Sequence, residues 1–257
     1  MNPFVLADGV LQRAHRRVFP FEVEGIRYYV KKRVVRKGRF GRLVQQQAYR
    51  LTGNILLAPT TFSHVSEAFA HEVAKLQRLA EANMPVPRVM FADKDYMVLE
   101  DVGQALHKCV VQEPAQAAAY IAAAMEALAQ LHSAGFAHGG AQLKNFTLKD
   151  GRVYLIDFEE NVEQYPLEDM QIRDVLVFLA YLGRLGIPID YANVIARYEA
   201  VRHVLIHDRL FEILHNWLWI RFLGIPAFAA LHHHDMKAFI ALAAYLSSTA
   251  PPSQSRP

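Results

Sequence analysis

The sequence predicts an α+β protein of two lobes, in which a small antiparallel β lobe carrying one helix precedes a larger helical lobe. Three observations carry this. Short runs rich in β-branched and aromatic residues crowd the chain before Gly103, alanine rises sharply after it, and apolar residues recur at helical spacing from Leu167 to near Leu246. With 257 residues, 53% of them hydrophobic and 21% charged, the chain can bury a sizeable core and lies outside the disordered range. The boundaries expected are 1–102 for the β-rich lobe, 103–249 for the helical lobe and 250–257, containing "PPSQSRP", for a disordered tail.

The elements come in this order. "FEVE" and "RYYVKKR" alternate as strands, and a turn around Gly25 joins them into a hairpin. A basic, glycine-containing loop covers Arg36 to Arg42. Phe69, Val73, Leu76 and Ala80 then recur at helical spacing, with Ser66 as the expected N-cap and Pro85 and Pro87 marking the exit. "RVMFA" and "YMVLEDV" read as strands separated by "DKD". In "AQAAAYIAAAMEALAQLHSAG" a helix places Ile121, Met125, Leu128 and Leu131 on one face and stops at Gly135. "NFTL" and "VYLID" are strands around the turn at Asp150-Gly151, and the remainder is helical, punctuated by Gly183, Gly186, Pro188, Gly224 and Pro226.

Composition narrows the setting. The single cysteine, Cys109, forms no internal disulfide, and no leader-like start is visible, so a reducing, cytoplasmic location is expected. The apolar run from Trp217 to Leu231 is interrupted by Arg221 and stops at His232, short of a spanning helix. Net charge is +3, yet Arg27 to Arg42 holds eight Lys or Arg residues and no acid. Such a patch attracts phosphates on a lipid surface or a nucleic acid, or is a solvated strand edge and loop. His232, His233 and His234 with Asp235 invite a metal reading, but adjacent helical side chains diverge by about 100° and do not face one ion. Trp217 and Trp219 read as packing aromatics, with an interfacial membrane role as the alternative.

Moving a phosphoryl group needs a fixed cation for the phosphates, oxygen ligands for magnesium and a group that orients the acceptor hydroxyl. Asp157 ends the apolar "VYLID" and puts a carboxylate at a sheet rim, where a hard cation binds through oxygen. Asn145 lies twelve residues earlier, so a hairpin would bring its amide beside Asp157. Lys31 closes "YYVK" and Glu72 sits mid-helix, an arrangement suited to an ion pair that holds the lysine on phosphate. Lys32 rivals Lys31, and Glu67 rivals Glu72.

In order and spacing these residues resemble the protein-kinase-like fold: the lysine in "YYVKKR", the glutamate in "HEVAKLQRL", a hinge at "LEDVG", the loop "HGGAQLKN" and the aspartate in "IDFEE". "MPVPRVMFADKDYMVLEDVG", "HG" in place of "HR" and the short length look most like the bacterial lipopolysaccharide (Kdo/heptose) kinase and small-molecule phosphotransferase branch. The likeness spans residues 20 to 185. It implies that Lys31 binds phosphate with Glu72 as its partner, that Asn145 and Asp157 hold the metal, and that His138 is the structural histidine of the catalytic loop. Glu100 to Gly103, Glu100 and Val102 among them, would contact adenine, and Asp174 or Asp169 would brace the loop; apart from the resemblance, Lys144 beside Asn145 is a candidate to steady the transferred phosphoryl group.

The sequence departs from the pattern in three places. No G-x-G-x-x-G precedes Lys31, where "ADGVLQRAH" offers a looser turn. The metal motif reads "DFE" rather than "DFG". In H-x-D-x-x-x-x-N the aspartate is replaced by Gly140, which leaves Glu159 or Glu160 as substitutes for orienting the acceptor. The expectation is an ATP- and Mg2+-dependent kinase acting on a sugar hydroxyl of the lipopolysaccharide inner core or a related small acceptor. It would be a monomer at the inner face of the cytoplasmic membrane, with Lys31 to Arg42 meeting anionic lipid or glycan, and nucleic acid is not the expected partner. The alternatives are a nucleotide-binding pseudokinase with a regulatory role and a binder that acts through the basic segment alone.

Overall fold

In the computed structural model the described residues are 3–4, 10–11, 14–33, 46–47, 49–60, 62, 64–222 and 242–249, with the backbone alone for 215–222. Outside them lie the basic loop Arg36 to Arg42, most of "ADGVLQRAH", Gly224 and Pro226, His232 to Asp235 and the tail 250–257; the side chains of Trp217 and Trp219 are outside them too.

Strands β1 (Val18–Val23) and β2 (Ile26–Lys32) form a hairpin across Glu24 and Gly25, both with positive φ, the two-residue turn that matches strand twist. β2 also pairs with β4 (Tyr96–Glu100), which pairs with β3 (Val89–Ala92), giving an all-antiparallel sheet of order β1-β2-β4-β3. Helix α1 (Val65–Glu81) packs against β3. Its N-cap is His64 rather than Ser66, because the chain leaves extended geometry at His64 (φ −118°, ψ 139°) and Ser66 is already helical. The buried stripe of α1 runs through Phe69, Glu72, Lys75, Leu76 and Leu79, so two charged residues share its apolar face.

After Gly103 come β5 (Gln104–Ala105) and α2 (Leu106–Gln112), two short elements that the sequence pattern does not separate from the long helix after them. The alanine-rich helix α3 (Ala117–Ser133) starts after the single turn Pro114–Gln116, and Ile121, Met125, Leu128 and Leu131 are all buried. β6 (Phe146–Lys149) and β7 (Arg152–Leu155) pair across Asp150 and Gly151 and join β5 in a second small sheet. β7 stops at Leu155. Asp157 therefore does not end the strand but lies beyond it, with a left-handed φ of 69°.

Helices α4 (Leu167–Leu182), α5 (Tyr191–Arg202) and α6 (His207–Phe222) complete the helical part, and residues 242–249 are also helical. One core runs from Phe69 and Leu76 of α1 through Leu128, Phe146, Phe158 and Phe178 to Leu214 and Leu246. A smaller one, centred on Val30, Tyr96 and Val98, lies on the sheet. The molecule is thus α+β, with a small antiparallel sheet and a larger helical part. Among the described residues no helix is long and apolar enough to cross a membrane.

Candidate active site

β2 and α1 deliver the first pair of side chains. In the β2 register Lys31 stands opposite Met97, and its Nζ donates to Glu72 Oε1 at 2.6 Å. It also donates to Asp157 Oδ1 at 2.6 Å, so one ammonium bridges the sheet, the helix and the segment after β7. Burial would lower the lysine pKa, but the negative charges of Glu72, Asp157 and Glu159 outweigh it and raise the pKa. The Asp157 carboxylate is held below its ordinary range: burial pushes it up, and the Lys31 charge and hydrogen bond with the Arg17 charge pull it further down. Lys32, the rival, is held by the Leu11 and Ala14 carbonyls, and Arg33 by Asp95. Lys31, Lys32 and Arg33 of the basic stretch therefore each have a partner within the chain, Arg33 on the surface.

Arg17, just before β1, joins the site without any motif to mark it; its place beside the hairpin is the only sequence signal. Its Nη2 donates to Glu159 Oε2 at 2.5 Å. Glu72, Asp157 and Glu159 form a group whose ligand oxygens lie within 4.8 Å of one another. Three carboxylates face two cations here, and Glu72 Oε2 is buried without a hydrogen-bond partner among the described residues. A hard divalent ion fits that oxygen set and charge.

The loop from His138 to Asn145 is built around Asp174 of α4. This fully buried carboxylate accepts from the backbone N–H of His138 at 2.6 Å and of Gly139 at 2.8 Å, and pairs with His132 at 3.3 Å. Asp169 instead faces Arg209 on the surface, so the brace is Asp174. Arg173 donates to the Gly139 carbonyl from the other side. The His138 ring is fully buried and stacks on Phe158 at 4.4 Å. Its Nδ1 accepts from the Gly140 N–H at 3.2 Å and its Nε2 donates to the Ile156 carbonyl at 3.1 Å. Burial pushes its pKa down to about 4, so the imidazole is neutral and shapes the loop without exchanging protons near neutral pH.

Gly139 has φ +96°, and a Cβ there would lie 2.6 Å from Glu160 Cβ and 2.8 Å from Val162 Cγ1. At Gly140 the backbone is ordinary, and a Cβ would meet Asn145 Nδ2 at 3.7 Å and Glu160 Cγ at 3.8 Å. The Asn145 amide nitrogen donates to the Gly140 carbonyl at 2.8 Å, which leaves Oδ1 as the atom able to bind a cation. The Ile156 N–H bonds the Asn145 carbonyl at 2.9 Å and keeps Asn145 next to Asp157. Lys144 is exposed on the single turn Leu143–Asn145.

Between the sheet and the helical part, Glu100 ends β4, half-buried, and Val102 is buried. Asp101 Oδ1 accepts the Gly103 N–H, and Lys149 Nζ bonds the Asp101 carbonyl at 2.6 Å. At Gly103 a Cβ would sit 2.1 Å from the Leu148 carbonyl oxygen, so backbone runs against backbone. The structure thus gathers Lys31, Glu72, Asp157 and Glu159 into one cluster and ties Asn145 and His138 into the adjoining loop.

A sheet lysine paired to a helix glutamate, and a braced loop running through a hairpin to a carboxylate on that lysine, define a protein of the protein-kinase-like superfamily. Residues 40–194, more than half of the chain, match the family described as the RIO domain, and the chain belongs to it. RIO domains are kinase-like, ATP-binding phosphotransferase domains of that superfamily. The matched segment contains Glu72, the loop, Asp157 and Asp174, and starts after Arg17 and Lys31. An uncharacterized protein of Haemophilus influenzae is 27% identical to the chain over 222 residues, covering 84% of each.

Proposed function

We propose that the protein is an ATP-dependent phosphotransferase that uses Mg2+ and passes the terminal phosphate to a hydroxyl group. The carrying observation is the Lys31 bridge, a buried ammonium shared by Glu72 and Asp157 at 2.6 Å each. Lys31 would meet the nucleotide phosphates, Asp157 and Asn145 would hold the metal, the chain at Glu100 to Val102 would meet adenine, and Lys144 would steady the moving phosphoryl group. Bound magnesium supplies charge neutralisation for the loose transition state. The acceptor we favour is a sugar of the lipopolysaccharide inner core. What supports that acceptor is the sequence likeness at "MPVPRVMFADKDYMVLEDVG" and "HG", together with a basic segment suited to an anionic lipid or glycan.

Thermal shift with ATP, with and without Mg2+, tests the reading on the native chain and on Asp157→Ala. Magnesium-dependent stabilisation of the native chain that the variant lacks is the expected result; no shift in either overturns it. Gly140 gives the second reading its footing: without the loop carboxylate the protein would bind nucleotide as a pseudokinase and act through a partner. ADP formation with lipopolysaccharide core acceptors separates the two.

A further inference from the structure

Resting on the phosphotransferase reading, we propose that Glu160 is the residue that orients the acceptor hydroxyl and takes its proton, in the role left open at Gly140. Two adjacent acids come after Asp157 and Phe158, and the fold sends them opposite ways. Glu159 is buried, its Oε2 is on Arg17, and its oxygens group with those of Glu72 and Asp157. It belongs to the cation side of the site. Glu160 instead lies over the loop, its Cβ 2.6 Å and its Cγ 3.5 Å from where a Gly139 Cβ would be. Its Cγ is also 3.8 Å from where a Gly140 Cβ would be, so its carboxyl group is within reach of the volume that an aspartate at 140 would fill.

Two features hold it there. Thr60 Oγ1 donates to Glu160 Oε2 at 2.6 Å, and the next residue, Asn161, gives its N–H to the Thr60 carbonyl, which fixes one segment on the other. Thr60 is only 4% exposed, so its hydroxyl is a fixed donor. The two glycines complete the arrangement. Gly139 lets the Glu160 stem cross the loop where a Cβ would collide, and Gly140, with ordinary backbone, leaves open the volume beside Glu160 Cγ that a longer side chain would fill.

In the step assigned to it, the acceptor oxygen bonds to the terminal phosphorus of ATP. The bond from that phosphorus to the bridging oxygen breaks, its electron pair leaves with ADP, and the hydroxyl proton passes to the Glu160 carboxylate. Positioning and neutralisation remain with Lys31, Asn145 and Asp157.

The test uses the full chain, MgATP and water as the acceptor, with ADP release and ATP-induced thermal shift as readouts. Glu160→Gln keeps the melting temperature, the ATP shift and the KM for ATP, but releases ADP about 10²-fold more slowly, so the loss falls on kcat alone. Gly140→Asp placed in that variant restores roughly tenfold or more, since a new carboxylate then occupies the same volume. Native turnover in Glu160→Gln overturns the assignment, as does loss of its ATP shift. A native chain that binds MgATP yet releases no ADP overturns it too. A native chain with no ATP shift at all sinks the phosphotransferase reading instead.

Discussion

At the scale of single residues, two neighbouring glycines have different reasons to be glycine. Gly139 combines φ +96° with a space in which a Cβ would overlap Glu160 and Val162. Gly139→Ala is therefore expected to destabilise the fold by roughly 3 kcal/mol, from backbone strain and overlap together. Gly140→Ala, with ordinary backbone and contacts no closer than 3.7 Å, is expected to change stability by less than about 0.5 kcal/mol. Urea denaturation of the two variants side by side checks the contrast. From the sequence the two positions are indistinguishable; which of them is constrained depends on Glu160 and Val162, and folding alone brings those residues over the loop.

Helix α1 shows how far periodicity reaches at the scale of an element. Its apolar spacing announces a helix, and Phe69 and Leu76 are buried as that spacing requires. It does not announce that Glu72 and Lys75 lie on the same buried stripe, because a charged residue reads as a solvent face until its partner is known. Glu72 has Lys31. Lys75 is 1% exposed, its Nζ has no hydrogen-bond partner among the described residues, and it lies 5.5 Å over the Phe158 ring. Burial pulls its pKa down to about 8, against the opposing charges of Asp174 and Glu163. At pH 7 the ammonium is charged in both folded and unfolded chains, so the penalty is fully present, on the order of 3 kcal/mol before the aromatic contact offsets part of it. Lys75→Met should raise the melting temperature at pH 7. Between pH 8 and 10.5 the unfolded chain holds a proton that the folded one has shed, native stability rises with pH, and the advantage of the variant shrinks. A gap that stays constant across that range would count against this account.

For the whole molecule, the fold class and the order of lysine, glutamate, loop and aspartate were legible, because each is carried by a local pattern: strand alternation, helical spacing or a turn pair such as Asp150-Gly151. Contacts between distant segments were not. Arg17 with Glu159 and Thr60 with Glu160 join residues 142 and 100 positions apart, and neither partner has a local signature. Acid stability is likewise a property of the assembled chain. Burial lowers the pKa of His71, His107, His132 and His138, the last to about 4. As pH falls below about 6.5 the unfolded chain takes up protons that the folded chain refuses, so stability declines toward pH 4, with His138 alone contributing about 3 kcal/mol. Urea midpoints at pH 7.5 and 5 should show the decline, and His138→Asn should show a smaller one.

The backbone contact at Gly103 gives the two parts of the molecule a fulcrum. Its missing Cβ lets the chain rest directly on the Leu148 carbonyl, and Tyr28 of β2 pairs with Glu100 close by. Lys31 lies three residues further along the same strand, about 10 Å away. A rotation of the sheet about that contact would have to break the Lys31–Asp157 and Arg17–Glu159 pairs, which tie the far end of the hairpin to the segment after β7. In such a rotation the residues proposed to grip phosphate would travel furthest, and those proposed to meet the base would stay almost still.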